Sequence, residues 1–184
     1  GQAPVEPLYT SIDAVNCLAN FQAVNYQEEF KPVPEITVRF LDAGHILGSA
    51  LIEIYITEGG STTKIVFSGD LGQKNQPIIQ DPSYVSHADY VLIESTYGNR
   101  LHEDSEEKVR QLKRMIMETV DSGGNLVIPA FAVGRTQDLL YHIRTLLLRG
   151  EIPRIPVYID SPMAISVTEI YRDNPGYYDQ PTLD

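Results

Sequence analysis

The stretches that decide the fold are Asp42-Ala-Gly-His-Ile-Leu-Gly-Ser-Ala50 and Phe67-Ser-Gly-Asp-Leu-Gly72. In both, an alternating apolar run ends in small residues, which predicts a strand that leads into a tight turn. Each turn presents one metal-capable side chain, His45 or Asp70, and its glycines let the backbone come close to whatever that side chain holds. Imidazole and carboxylate are ligands that suit zinc, although two ligands do not complete a site.

The composition limits the class of protein. The chain has 184 residues, of which 42% are hydrophobic, enough for one ordinary domain or two small pieces with a packed core. The net charge of −11 disfavours a wholesale electrostatic grip on nucleic acid, although a local basic groove or bound metal ions could supply positive charge. The single cysteine excludes a thiolate zinc cluster and favours a reducing, cytoplasmic compartment. No apolar run approaches the roughly 20 residues of a membrane span, and the first residues do not resemble a signal peptide.

The first half of the chain is predicted to be rich in antiparallel strands. A capping box at Thr10 predicts a helix over residues 11–21, in which Cys17 is expected to pack as a small side chain. Pro32 and Pro34 predict a loop. The later apolar patterns predict strands at 36–42, 50–57, 63–68 and 88–94.

The second half changes to an alternation of helices and strands. Helices are predicted from Asp104 to about 122, over 136–149 and from Pro162 onward, and strands at 126–131 and 155–159. This alternation is typical of a parallel sheet with helical crossovers. Such a sheet would have too few strands to stand alone, so we expect the chain to be a piece of a longer protein.

Three further residues are candidates for chemistry. Glu94 ends an apolar strand, at the edge where α/β proteins bind ligands, although a plain ion pair is the alternative. Arg135 precedes a helix and could hold a phosphate there or pair with a surface acid. Ser161 could also contact phosphate, and capping its helix is the alternative. The remaining histidines are expected at the surface, in a loop or on a helix face: His87, His102 and His142.

Five motifs occur in a recognisable order: Ala-Gly-His-Ile-Leu-Gly-Ser-Ala, Phe-Ser-Gly-Asp-Leu-Gly, Leu-Ile-Glu-Ser-Thr-Tyr-Gly, Ile-Pro-Ala-Phe-Ala-Val-Gly-Arg-Thr-Gln and Tyr-Ile-Asp-Ser-Pro-Met-Ala. Together they resemble the β-CASP branch of the metallo-β-lactamase superfamily, which includes the nuclease of mRNA 3′-end processing and prokaryotic RNA exonucleases. The resemblance implies an α/β fold in two parts. Residues 1–98 would be part of the αββα metallo-β-lactamase sandwich, and residues 99–184 part of a Rossmann-like β-CASP domain.

The resemblance also assigns roles to the candidate residues. It implies that His45 binds a metal, that Asp70 bridges two zinc ions, and that Glu94 is a catalytic acid that supports a later histidine. The family motif His-x-His-x-Asp-His does not occur here and would precede residue 1, and two later histidines would follow residue 184. Because most ligands are missing, we expect this chain to bind zinc weakly or not at all and to have no nuclease activity.

For the intact protein, the resemblance implies zinc-dependent phosphodiester hydrolysis of single-stranded RNA. Arg135 and Ser161 are the candidates for binding the substrate phosphates. A small-molecule metallo-hydrolase is one alternative, against which the α/β part after Gly98 argues, and a non-catalytic scaffold subunit is another. Unpaired sheet edges and exposed apolar faces predict self-association.

Overall fold

The protein is described here by a computed structural model that covers residues 7–101 and 105–183. The strands are β1 (Glu29–Val33), β2 (Ile36–Asp42), β3 (Ala50–Glu58), β4 (Ser61–Phe67) and β5 (Tyr90–Leu92). The helices are α1 (Ser11–Cys17), α2 (Ser105–Asp121), α3 (Arg135–Leu148), α4 (Pro162–Asp173) and α5 (Gln180–Leu183), with 3₁₀ turns at Leu18–Asn20 and Pro175–Tyr177. The described part of the chain is therefore mixed α/β.

One five-stranded sheet has the order β1-β2-β3-β4-β5. The first three pairings are antiparallel, and β4 pairs with β5 in parallel. The β3–β4 hairpin closes through Gly59 and Gly60, whose φ angles of 58° and 81° are those that a tight two-residue hairpin loop requires. The predicted antiparallel strands at 36–42, 50–57 and 63–68 are confirmed to within two residues.

The edge strand β1 is a correction to the sequence prediction, which placed a loop at its two prolines. Pro32 lies inside β1, and only Pro34 lies in the turn that follows. The pairing with β2 shifts register between Phe30 and Val33. Proline donates no ladder hydrogen bond, so a strand can accept it at a sheet edge or at such an irregularity.

The strands predicted at 126–131 and 155–159 are wrong. Neither segment is a strand, and β5 is the last strand in the described residues. Their apolar side chains are largely exposed, 92% in Phe131 and 85% in Tyr158. Strand propensity reflects packing against neighbouring strands, and these segments have no neighbouring strand to pair with. The expected parallel sheet of the second half is therefore not formed in the described residues, and the division at residue 98 stays a prediction.

The predicted helices are largely confirmed. Thr10 and Asp13 form the capping box of α1, and Ser161 caps α4 with Pro162 in its first turn. Cys17 is exposed and its thiol donates to Ala14 O at 3.0 Å, so the expectation that it packs inside is wrong. Asp104, the predicted cap of α2, and His102 lie outside the described residues. No described helix is long and apolar enough to cross a membrane.

Buried apolar residues cluster in three places in the described chain. One cluster lies beside the sheet, around Leu41, Ala43 and Leu51, and another lies between α2 and α3, around Ile116, Leu146 and Ile152. The remaining cluster joins these regions, because Ile78 and Ile79 from the loop after β4 pack on Tyr171 of α4. This joining cluster holds the helices against the loops at one end of the sheet.

Candidate functional site

The histidine turn, residues 43–49, connects β2 to β3 and is closed by its own polar groups. The Ser49 hydroxyl accepts hydrogen bonds from the N–H groups of His45 and Ile46, at 3.1 and 3.2 Å. The Asp42 carboxylate accepts from Gly44 N–H at 2.8 Å. With its backbone bound in this way, the turn leaves the His45 residue exposed.

Two tyrosines from distant parts of the chain hold the histidine turn from outside. Tyr26 donates its hydroxyl hydrogen to Ser49 O at 2.7 Å, and Tyr171 accepts a hydrogen bond from Leu47 N–H at 3.2 Å. Burial, with the neighbouring Asp42 carboxylate, raises the pKa of Tyr26 to about 12, so the phenol keeps its proton. The histidine turn is therefore positioned by both the sheet side and the helix side of the molecule.

The aspartate turn, residues 68–72, lies directly against the histidine turn. Gly72 N–H donates to Ala43 O at 2.9 Å. A Cβ on Gly72 would come within 1.6 Å of Gly44 O, so only glycine allows the two backbones to pass this closely. Asp70 is exposed two residues before this contact. The structure thus brings the two turns that carry His45 and Asp70 together.

Glu94 is tied to the aspartate turn by two hydrogen bonds. Its carboxylate accepts from Leu71 N–H at 2.7 Å, and its own N–H donates to the Ser68 hydroxyl at 3.0 Å. The pKa of Glu94 is lowered most by the hydrogen bond from Leu71 N–H, and further by hydrogen bonds from Thr96 and by the nearby His45. The carboxylate is therefore ionised near neutral pH and stabilises the turn that carries Asp70.

The side chains in this region are of types that bind zinc, but they are too few to complete a zinc site. Across residues 7–101 and 105–183, no group of three or more His, Cys, Asp and Glu side chains could hold a metal ion. His45 and Asp70 offer two of the four ligands of a tetrahedral site, and Glu94 binds backbone instead. A complete zinc centre does not fit the described residues alone.

A cavity of about 170 Å³ lies between the histidine turn and the start of α3. His45 and Arg135 both line it, together with Asp138 and Tyr171. Burial raises the pKa of Asp138 to about 6, against the lowering effect of the Arg135 charge. Arg135 is exposed and interacts with this partly buried acid one turn along its own helix. The cavity therefore brings a candidate phosphate-binding cation next to the candidate metal ligand.

Ser161 lies elsewhere, outside the residues that line this cavity. Its hydroxyl accepts from Ala164 N–H at 3.2 Å, so it is the N-cap of α4. Its contact with substrate phosphate stays a prediction. Of the other histidines, His87 is on the surface and His142 is on a face of α3, where burial lowers its pKa, both as expected.

Sequence reasoning missed Tyr26, Asp138 and Tyr171. The spacing of Asp138 three residues after Arg135 places both on one face of a helix and was an available signal. Tyr171 and Leu47 are 124 residues apart, so no local pattern could reveal their contact.

Comparisons with known proteins agree with the five motifs. Residues 136–184 match the family model described as Beta-Casp domain. The chain is 36% identical over 175 residues to Ribonuclease TTHA0252 of Thermus thermophilus, an alignment that covers 95% of the chain and 39% of the relative. It is 34% identical over 166 residues to an RNase J-like protein of Methanocaldococcus jannaschii, with 89% and 38% covered. It is 29% identical over 167 residues to Cleavage and polyadenylation specificity factor 73 of Drosophila melanogaster, with 90% and 24% covered.

These matches, with the mixed α/β fold and the paired turns, identify the class of protein. The chain belongs to the β-CASP branch of the metallo-β-lactamase superfamily, as its motifs predicted. It spans about two fifths of the length of the first two relatives.

Proposed function

We propose that this chain forms one side of the active site of an RNA hydrolase. The observation that carries the proposal is the contact between the two turns that present His45 and Asp70, beside a cavity lined by Arg135. Relatives named as ribonucleases support RNA as the substrate of the whole protein. Hydrolysis of a phosphodiester needs positive charge beside the bound phosphate, and metal held by His45 and Asp70 together with the Arg135 guanidinium would supply it.

Each residue has a proposed role. His45 and Asp70 would be metal ligands, and Glu94 would keep the aspartate turn in place through Leu71 N–H. Arg135 would bind a substrate phosphate at the first turn of α3, where free helix N–H groups also favour an anion. When bound, zinc supplies a water molecule of lowered pKa.

We propose that the other ligands of a two-zinc centre belong to family motifs that do not occur in this chain. The chain alone is then expected to bind zinc weakly and to leave RNA uncut, because two donors give little affinity. A calorimetric titration with zinc should show no tight binding. Two tight equivalents of zinc per chain would contradict this assignment of ligands.

The charge balance requires that single-stranded RNA be attracted locally. The net charge is −11, so long-range attraction to the whole surface is unfavourable. Arg135 lies where its guanidinium can act with the α3 N-terminus, and this local cation together with bound metal would hold the phosphates. We propose a cytoplasmic location on the evidence of the single, exposed cysteine.

We also propose that the chain associates with itself through the open edge of β5. The β5 side chains Tyr90, Val91 and Leu92 are each more than half exposed, and no further strand covers them in the described residues. An apolar, unpaired edge is a template for pairing with another copy. Light scattering should show a mass above that of one chain, and a monomer at high concentration would contradict this.

Cleavage of a labelled single-stranded RNA by the whole protein tests the main proposal. The variants His45→Ala and Asp70→Asn should each lose about 100-fold or more in rate, because the first removes a ligand and the second removes the negative charge of one, and loss of a group that only supports a ligand already costs about 10–100-fold. His87→Ala is the matched control, since the exposed His87 side chain has Asp89 as its charged neighbour and contacts neither His45 nor Asp70 in any described hydrogen bond or ion pair, and it should cut at the normal rate. An Asp70→Asn protein with full activity would refute the role of this site.

A further inference from the structure

We propose that the cavity between the histidine turn and α3 binds one ribose of the RNA, and that the Asp138 carboxylate accepts a hydrogen bond from its 2′-hydroxyl. Asp138 would then be the residue that distinguishes RNA from DNA. This inference rests on the proposed function, because it places a substrate sugar beside His45 and a substrate phosphate at Arg135.

The size and lining of the cavity favour a sugar. Its volume of about 170 Å³ is below the roughly 300–1,000 Å³ of pockets that enclose drug-sized ligands, so a small group such as a sugar suits it. Ile46, Ile78 and Ile79 provide apolar walls, and Asp138 provides a carboxylate. A ribose within an RNA chain combines the carbon atoms of its ring with one free hydroxyl group, the 2′-hydroxyl, and it matches this mixture better than a bare phosphate or an inorganic ion.

The Asp138 carboxylate has no bonded partner within the described part of the protein. Its backbone N–H donates to Gly134 O at 3.0 Å, but no hydrogen bond or ion pair to its side chain is formed by residues 7–101 or 105–183. Asp138 is half-buried and its carboxylate oxygens keep access to the cavity, where they can accept a hydrogen bond from a ligand. Near neutral pH this carboxylate is ionised and only accepts hydrogen bonds, so its natural partner is a hydroxyl or amino donor.

The neighbouring Arg135 would bind the phosphate that is joined to this ribose. Arg135 and Asp138 are three residues apart in the first turn of α3 and line the same cavity. A cation next to a hydroxyl acceptor matches the repeating unit of RNA, in which each phosphate is joined to a sugar that bears a 2′-hydroxyl. That hydroxyl is the group that distinguishes RNA from DNA. Recognition through sugar and phosphate would be independent of base sequence.

Binding of matched oligonucleotides to the 184-residue chain tests the proposal. The probes are a fluorescein-labelled single-stranded RNA hexamer and the same hexamer with 2′-deoxyribose throughout, measured by anisotropy at low salt. The chain should bind the RNA about tenfold more tightly, as one hydrogen bond to a charged group would give. Asp138→Ala should remove this preference, and Asp138→Asn should keep part of it, because the amide oxygen still accepts.

Two further variants separate this inference from the proposed function. Arg135→Ala should weaken the binding of RNA and DNA equally, and Asp173→Ala, an exposed acid on α4, should change neither. Urea unfolding of Asp138→Ala shows whether the variant is folded. If the unaltered chain binds both hexamers equally while Arg135→Ala weakens both, the ribose subsite is refuted and the phosphate site stands. If Asp138→Ala strengthens both equally, only charge repulsion was removed and the subsite is again refuted. If neither hexamer binds, both proposals fail at this cavity.

Discussion

Replacing Glu53 by glutamine should destabilise the protein more than any other loss of a single charge in the sheet. Glu53 lies at the centre of β3 and is 1% exposed. Arg39 on β2 approaches its carboxylate at 2.6 Å and Lys64 on β4 approaches it at 2.5 Å. The glutamine keeps the volume of the side chain but leaves two cations, both largely withdrawn from water, without their common counter-ion.

The expected loss of stability depends on how well water can hydrate the two cations once Glu53 has lost its charge. Breaking a buried ion pair by removing one partner costs about 3–5 kcal/mol. The Arg39 side chain is 31% exposed and the Lys64 side chain 14%, so some hydration is recovered and we expect about 3 kcal/mol. Domains are stable by only about 5–15 kcal/mol, so this is a large share of the total.

Urea unfolding followed by circular dichroism measures the loss. With a denaturant slope of about 2 kcal/mol per molar, the midpoint should fall by roughly 1.5 M in Glu53→Gln. Glu58→Gln is the matched control, because Glu58 is at the exposed end of the same strand, and its midpoint should move little. A loss below about 1 kcal/mol in Glu53→Gln would refute the claim that this carboxylate holds the sheet together.

The remaining predictions concern pH, the tyrosine contact and the close glycine. Burial of Glu53 would raise the pKa of its carboxyl, but hydrogen bonds from Lys64 and Arg39 outweigh burial and lower that pKa. The free energy of unfolding should therefore fall as the pH drops below 4.5, the ordinary pKa of a glutamate. This fall should be smaller in Glu53→Gln. Tyr171→Phe leaves Leu47 N–H without its acceptor and should cost about 1–2 kcal/mol and speed hydrogen exchange at that amide. Gly72→Ala would place Cβ against Gly44 O and should cost more than 3 kcal/mol by urea unfolding, or prevent folding.

Each of these predictions has a control and an outcome that would contradict it. Stability of the unaltered chain that is flat from pH 6 to pH 3 would contradict the ionisation argument. Tyr158→Phe is the control for Tyr171→Phe, because it removes a hydroxyl from a residue that is 85% exposed, and it should leave hydrogen exchange at the Leu47 amide unchanged. Equal exchange rates in the two variants would contradict the hydrogen bond between Tyr171 and Leu47. Gly176→Ala, where the added Cβ meets no atom within 4 Å, should be nearly neutral. A stable Gly72→Ala would show that the turns are not packed as described.

The sequence was informative where structure depends on neighbouring residues. The strands β2 to β4 follow from alternation and from the pair Gly59-Gly60, and the helix caps at Thr10 and Ser161 follow from local hydrogen bonds. Local sequence patterns gave wrong predictions where strand formation depends on pairing with a neighbouring strand. Pro32 suggested a loop but lies in an edge strand, and the apolar run at 126–131 suggested a strand that has no partner.

The candidate site divides in the same way. His45 and Asp70 were predicted from glycine-rich turns, whose backbone requirements are local. That these turns touch depends on the packing of Gly72 on the histidine turn, which no sequence window contains. The supports from Tyr26 and Tyr171 depend on segments far apart in the chain. The sequence therefore predicted which residues belong to the candidate site, whereas their arrangement in space could be known only from the structure.

The position of bound zinc in the whole protein tests the central claim that His45 and Asp70 serve one metal centre. Crystals grown with zinc, measured on both sides of its absorption edge, locate the metal by its anomalous scattering. Our account predicts zinc at about 2.0–2.2 Å from a His45 ring nitrogen and from an Asp70 carboxylate oxygen. It also predicts that the anomalous peak weakens strongly in Asp70→Asn. Zinc bound tightly at a position that touches neither residue would contradict it.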